Sequence, residues 1–88
     1  MSEFETVRMK FLERKVVFFG VYFNTLGGKS RVLTGPEIWR RLGKNNVDKL
    51  PHSVVSVLEE NRIALFENEK QARRIVSLLN STKTQKER

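Results

Sequence analysis

Eight consecutive apolar residues, VVFFGVYF, occupy positions 16–23 and limit the folds open to this chain. The run is rich in β-branched and aromatic residues, which favour strands over helices. It is too short to cross a bilayer, which requires about 20 apolar residues in a helix. An apolar run without polar interruptions is typical of a strand covered on both faces, so it predicts a central strand. Gly20 in its middle indicates a bulge or a close approach by another element.

The next stretch, NTLGGKSRVL at positions 24–33, leaves a choice between a phosphate-binding loop and a turn. Its Gly-Lys-Ser matches the end of a P-loop, which also requires a glycine five positions earlier and a helix directly afterwards. Phe23 stands at that glycine position, and the residues after Ser30 have a β-like pattern. We therefore predict a hairpin in which the paired glycines turn the chain between Val21–Asn24 and Ser30–Leu33.

Two further segments carry strand patterns. Val7, Met9 and Phe11 alternate with polar residues, which predicts a half-buried strand. RIALFE predicts a short strand over Ile63–Phe66.

Three amphipathic segments predict helices. The clearest is TGPEIWRRLG, in which Thr34 and Glu37 are placed for a capping box and Gly43 stands where a helix ends. LPHSVVSVLEEN follows, with valines and a leucine forming a buried side. NEKQARRIVSLLN is the third, with Asn68 as its cap, Gln71 reaching back to it, and apolar residues at helical spacing.

These patterns predict an α+β fold in the order β-β-β-α-α-β-α, a small antiparallel sheet of about four strands with helices packed on it. A chain of 88 residues has the size of one domain, which we place at residues 1–80. The remaining STKTQKER, residues 81–88, is polar and cationic and predicts a flexible basic tail. Because so small a domain buries little surface, a deep catalytic cleft is hard to build.

The charge balance favours an anionic partner. The chain has 17 Lys and Arg against 10 Asp and Glu, a formal net charge of +7. Nucleic acid is the commonest partner of so basic a domain. The cations concentrate on the hairpin tip, the first helix and one side of the last helix, where they form either one track for a phosphate backbone or three separate patches. The predicted nucleic-acid-binding residues are Lys29, Arg31, Arg40, Arg41, Lys44, Arg73 and Arg74.

The acidic segment at residues 59–69, with four Glu and one Arg, suggests a different surface. A protein-interaction module would use Glu59 and Glu60 against a partner and Trp39 as an anchor. Trp39 also stands beside two arginines, as a base-stacking residue would, although core or interface packing is the commoner role. For the aromatic residues at positions 18, 19, 22 and 23 we expect core packing.

Residues suited to catalysis or metal binding are few. His52 is the single histidine and stands near no obvious Ser or Asp partner, so we expect a surface residue. We expect the glutamates at 59, 60, 67 and 69 to be charges on a solvated surface or at helix ends. Without cysteine, thiolate metal sites and disulfides are impossible. We therefore predict no catalytic residues, no metal and no cofactor.

The middle of the chain resembles a winged helix-turn-helix, with TGPEIWRRLGK as the positioning helix, LPHSVVSVLEEN as the recognition helix and RIALFE as the start of a wing. The resemblance implies a sequence-specific DNA-binding regulator. Base-reading helices present Arg, Lys, Asn or Gln, whereas this one presents His52, Ser53 and Ser56, followed by two glutamates.

VRMKFLE, the Phe-Gly of FFG and LPHSVVSVLEENRIAL are similar in order to the small β-rich domain of archaeal GINS replication subunits. A comparable helix-then-strand module occurs in the N-terminal domains of tRNA-splicing endonuclease subunits. These resemblances imply an accessory part of a nucleic-acid-processing assembly.

The sequence as a whole predicts a non-catalytic, basic accessory module. It would bind DNA or RNA through phosphates, largely without sequence preference, or dock on a protein partner in a replication, transcription or RNA-processing complex. Two alternatives stay open, a winged-helix transcription regulator and an interaction or inhibitor module that does not contact nucleic acid. With no membrane segment and no signal peptide in the acidic, polar MSEFET, we expect a cytoplasmic protein, with nucleoid association as one option.

Overall fold

The computed structural model describes residues 3–11, 13, 16–24 and 30–86, with the backbone alone for residues 82–86. Within these ranges the order of elements is β1 (Phe4–Phe11), β2 (Val16–Phe23), β3 (Arg31–Val32), α1 (Gly35–Leu42), α2 (Lys44–Val47), α3 (His52–Glu59) and α4 (Glu69–Lys86). The predicted α+β class is confirmed: an antiparallel sheet in the order β1-β2-β3 carries the helices.

The apolar run forms the central strand of this sheet, as predicted. β1 pairs with β2 along its whole length, from Phe4 opposite Phe23 to Phe11 opposite Val16. β2 then pairs with β3 through Tyr22–Val32 and Phe23–Arg31, which confirms the hairpin pairing. The turn itself, at residues 25–29, lies outside the described residues.

Helices cover one face of the sheet, whereas the uninterrupted apolar run predicted that both faces of its strand would be covered. On the covered face Phe4 and Val21 are buried, and Phe19 and Phe23 pack against the core. Strand alternation places Phe18 on the opposite, outer face.

The predicted aromatic core is therefore divided between the two faces. Phe19 and Phe23 point to the helices, while Phe18 and Tyr22 lie on the outer face together with Val7 and Met9.

The first helix forms as its sequence predicts. The Thr34 hydroxyl accepts a hydrogen bond from the Glu37 N–H (3.4 Å), and the Thr34 N–H donates to the Glu37 carboxylate (3.2 Å). This reciprocal cap gives hydrogen-bond acceptors to two backbone N–H groups at the helix start, those of Glu37 and Thr34. Gly43 ends the helix with φ of 84°, a conformation that favours glycine, and its N–H donates to Trp39 O (3.0 Å).

The segment RIALFE does not form the predicted strand. Its two ends make isolated antiparallel bridges instead, Ile63 with Thr34 and Phe66 with Phe19. The reason is that Thr34 caps α1, so the neighbouring chain becomes a helix at that point. The segment passes from this helix start to the edge of β2 and has no continuous strand to pair with. The described sheet therefore has three strands instead of about four.

Two predicted details of the helices also change. The polar connection KNNVDK contains the short helix α2, because Val47 and nearby Leu50 anchor it in the core. Asn68 does cap α4, accepting from the Lys70 N–H (2.8 Å), but the Gln71 side chain reaches Ser53 Oγ (3.4 Å) instead of reaching back.

The longest helix packs its predicted stripe into the core. Ala72, Ile75 and Leu79 of α4 are buried, and Val76 packs against them. The described backbone stays helical to Lys86, past the predicted boundary at residue 80, so the flexible tail at 81–88 stays a prediction. None of the helices in the described ranges combines the length and the apolar character needed to cross a membrane.

Candidate nucleic-acid interface

The first helix presents two of the predicted cationic residues to solvent. Gly35, Ile38 and Leu42 turn inward and are buried, so Arg40 and Arg41 lie on the exposed part of α1. Their position follows from the 3.6-residue period of the helix.

Arg41 lies over a pair of stacked aromatic rings. The ring centroids of Phe4 and Phe23 are 5.1 Å apart with an interplanar angle of 25°. Arg41 Cζ lies 4.5 Å from the centroid of Phe23 and 5.7 Å from that of Phe4. A guanidinium at this distance is attracted by the electrons of the ring face. The Arg41 guanidinium is therefore held in place while the residue remains exposed.

Arg31 approaches the same aromatic pair from the sheet. It is the cross-strand partner of Phe23, so the two side chains share one face. Its guanidinium forms an ion pair with the Glu37 carboxylate on α1, and its side chain stays half exposed. This contact joins β3 to the first turn of α1.

Glu37 is the acidic member of this group. Its carboxylate accepts hydrogen bonds from Arg31, Thr34 N and Thr34 Oγ1. The Arg31 hydrogen bond is the main reason that the pKa of Glu37 falls to about 2, although partial burial opposes the effect. The same bond raises the pKa of Arg31. Arg31 is therefore partly neutralised before any ligand arrives.

Lys44 completes this group of cations. It is the first residue of α2, one position after the glycine that ends α1, and it is exposed. We call Arg31, Arg40, Arg41 and Lys44 the cationic corner: Arg31 is joined to α1 through Glu37, and the other three follow along α1 to the start of α2.

The remaining predicted cations are elsewhere. Arg73 and Arg74 are exposed on α4, where Arg73 forms an ion pair with Glu69 (3.4 Å). α4 approaches the cationic corner near Asn80, whose side-chain amide donates to Phe4 O (3.4 Å). With a rise of 1.5 Å per residue, the Arg73–Arg74 pair lies about 10 Å away along the helix. Lys29 lies outside the described residues.

The three predicted protein-interaction residues lie on α1 and at the end of α3. Trp39 packs against the core and is only partly exposed. Glu59 is exposed at the end of α3. Glu60 accepts hydrogen bonds from the Arg62 guanidinium (2.7 and 2.8 Å) and lies in a groove described next.

This groove, of about 740 Å³, was not predicted. It lies between the β1–β2 end of the sheet, α3 and the segment 62–67. Its apolar lining residues are Phe11, Phe18, Val57, Ile63 and Leu65, and its polar lining residues are Glu13, Ser53, Glu60, Arg62, Glu67 and Gln71. Alternation along RIALFE is the sequence feature that could have indicated this groove. Ala64 and Phe66 are buried, so Ile63 and Leu65 point to the other side.

The described residues offer little for nucleotide or metal chemistry. Ser30 leads into strand β3, so the P-loop condition of a following helix is not met. In the described ranges, no group of three His, Asp or Glu side chains could hold a metal ion. His52 begins α3 as an exposed residue, as expected.

The candidate recognition helix uses part of its polar side internally. Ser56 Oγ donates to His52 O (3.0 Å), and Ser53 Oγ accepts from Gln71 of α4 (3.4 Å). The segment after α3, which the winged-helix resemblance assigns to a wing, lies against β2 and the start of α1. No hairpin follows α3 within residues 60–68.

The chain matches no known protein-family model, no curated protein and no solved structure.

Proposed function

We propose that this chain is a non-catalytic, basic module that binds DNA or RNA through backbone phosphates, largely without sequence preference. The cationic corner would form the centre of the contact. Its role within a larger assembly, as an accessory part of a replication, transcription or RNA-processing enzyme, belongs to the same proposal and follows from the resemblances in the sequence.

The observation that carries the proposal is the position of Arg41 over Phe4 and Phe23. An arginine on a free surface loses side-chain entropy when it contacts a phosphate. Arg41 is already held by the two rings, so less entropy remains to be lost. Guanidinium groups also bind phosphate oxygens through two parallel N–H donors.

Arg40 and Lys44 would extend this contact along the surface. They lie four residues apart in sequence, on α1 and α2, and both are exposed. Contacts with phosphate release counterions, so each one adds to the salt dependence of binding. The Arg73–Arg74 pair would take part only if the polymer also follows α4.

The test is a comparison of two double variants with equal loss of charge. Arg40→Ala with Lys44→Ala removes two cations from the corner, and Arg8→Ala with Lys10→Ala removes two exposed cations from β1. Binding of labelled random-sequence duplex DNA and single-stranded RNA is followed by fluorescence anisotropy between about 50 and 200 mM salt.

We expect the corner variant to bind more weakly to every sequence and to reduce the slope of log K against log salt by about two. The β1 variant should keep the original slope. Equal losses in both variants would show that net charge, and not the corner, is responsible. Failure of the unaltered protein to bind either polymer at the lower salt concentration would refute the proposal.

A further inference from the structure

The outer face of the sheet is apolar although no described helix packs on it. Val7, Met9 and Phe18 alternate with the residues that contact the helices, so they point to the other side. Val32 joins them, because a Cβ built on Gly20 would lie 3.3–3.4 Å from atoms of Val32, Met9 and Val7. These side chains therefore cluster over Gly20 and partly shield one another.

This face continues into the groove. Phe11 and Phe18 contact each other edge to face, with centroids 5.6 Å apart, and both line the groove. Ile63 is 43% exposed there, and Phe11 is 37% exposed. Large apolar side chains that remain accessible as a contiguous patch mark interaction sites more often than isolated ones do.

The rim of the groove carries acidic side chains, although the chain as a whole is strongly basic. Glu13, Glu60 and Glu67 line it, and the one arginine in the lining, Arg62, is paired with Glu60. Glu5 lies on the outer face of the sheet, opposite Tyr22 and exposed. The described charges around this surface therefore sum to a negative value, opposite in sign to that of the cationic corner.

We propose that the groove, with the adjoining outer face of the sheet, binds a segment of a partner protein that presents apolar side chains flanked by Lys or Arg. The apolar lining would receive the apolar side chains, and Glu13 and Glu67 would pair with the cations at the edge. A volume of about 740 Å³ is enough for a few side chains at once.

Charge complementarity selects this occupant over others. Phosphates would meet the carboxylates of Glu13 and Glu67, and that of Glu60 with its Arg62 partner, so a nucleic acid is disfavoured even though aromatic rings are exposed here. In a two-fold dimer this surface would meet its own copy, so the rim carboxylates of Glu13 and Glu67 would face like charges. The proposal goes beyond nucleic-acid binding and does not depend on it, because the two surfaces share no residue.

The probes are synthetic peptides of Leu and Lys, about 14 residues or four helical turns long. One has Leu at helical spacing, the other alternates Leu and Lys, and each has a counterpart with Glu in place of Lys. Long-range attraction by a +7 protein favours the Glu peptides. A local groove of the proposed kind favours a Lys peptide. Which peptide of a pair binds more tightly therefore distinguishes the two effects.

We expect one of the Lys peptides to bind in fluorescence anisotropy at least about ten-fold more tightly than its Glu counterpart. Ile63→Ser should weaken this binding about ten-fold, because it removes an exposed apolar contact without disturbing the core. Glu13→Lys with Glu67→Lys should weaken it by a similar factor. As the charge control, Asp48→Lys alters an exposed acid outside the groove lining and should have little effect.

Several results would overturn the proposal. Tighter binding of the Glu peptides, equal binding of both kinds, or Lys-peptide binding that Ile63→Ser leaves unchanged would each do so. Dimerisation of the protein that Ile63→Ser abolishes would assign the surface to a second copy instead. The Arg40→Ala and Lys44→Ala variant should keep its peptide affinity, so loss of nucleic-acid binding and loss of peptide binding are told apart.

Discussion

Gly35 stands where the first helix begins, against the end of α3, and its replacement by alanine tests how these two helices are joined. A Cβ at position 35 would lie 2.7 Å from Leu58 O and 2.8 Å from both Val57 O and Glu60 O. All three are backbone oxygens, so none can rotate away. α1 and α3 must separate to admit the methyl group.

The cost of Gly35→Ala can be worked from these distances. Carbon–oxygen contacts in proteins are about 3.3 Å or longer, so the backbones must move apart by roughly 0.6 Å. The hydrogen bond from Gly35 N to Arg62 O, at 2.9 Å, crosses the same junction and would be strained. Overpacking of this kind costs about 1–3 kcal/mol and a weakened hydrogen bond about 1, while alanine recovers less than 1 through its helix propensity. We expect a net loss of about 3 kcal/mol, a large part of the stability of a small domain.

Urea denaturation, monitored by Trp39 fluorescence and by circular dichroism, measures this loss of unfolding free energy. Two other glycines serve as controls. Gly43→Ala meets no atom within 4 Å but keeps a φ of 84°, so it should cost about 1 kcal/mol. Gly20→Ala meets only side-chain atoms, at 3.3 Å and beyond, and should cost less than about 1 kcal/mol because they can shift. A Gly35→Ala variant as stable as the unaltered chain would refute the account of the α1–α3 junction.

Three further measurements test other parts of the fold. Because the pKa of Glu37 is lowered from 4.5 to about 2, its stabilising effect is complete above pH 4.5 and is lost as the pH falls towards 2. The full shift corresponds to about 3 kcal/mol, which solvent screening reduces to about 1–2, and Glu37→Gln should remove this part of the pH dependence in urea titrations. Phe66→Ala should destabilise the protein by about 3–5 kcal/mol in calorimetry, because the side chain is 1% exposed; a loss below 1 would contradict its place in the core. Asn68→Ala should cost about 1 kcal/mol in the same assay, through the lost cap of α4, whereas an unchanged midpoint would mean that the Lys70 N–H finds another acceptor.

Features fixed by neighbouring residues were predictable. The capping box of Thr34 and Glu37, the glycine that ends α1 and the apolar stripe of α4 all depend on positions within a few residues of one another. The exposure of Arg40 and Arg41 follows from the same helical period. The sequence alone therefore indicated that these two arginines lie on the surface.

Pairings between distant segments were not predictable. RIALFE has the composition of a strand, but its neighbours in space are the edge of β2 and the start of α1, which provide only two bridges. The position of Arg41 over Phe4 and Phe23 joins α1 to both long strands. A periodicity shows which residues share a face and does not show what that face meets.

By itself, the sequence determined the class of fold, the start and end of α1 and the sign of the net charge, since these depend on local backbone preference and composition. Only the tertiary structure decided which face of the sheet the helices cover and where the charges gather. Helices pack on the side of Phe4 and Val21, so an equally apolar set, with Val7 and Met9, lies on the outer face. Both sides of the sheet are apolar near its centre, so the sequence pattern of the strands does not distinguish the face that the helices cover.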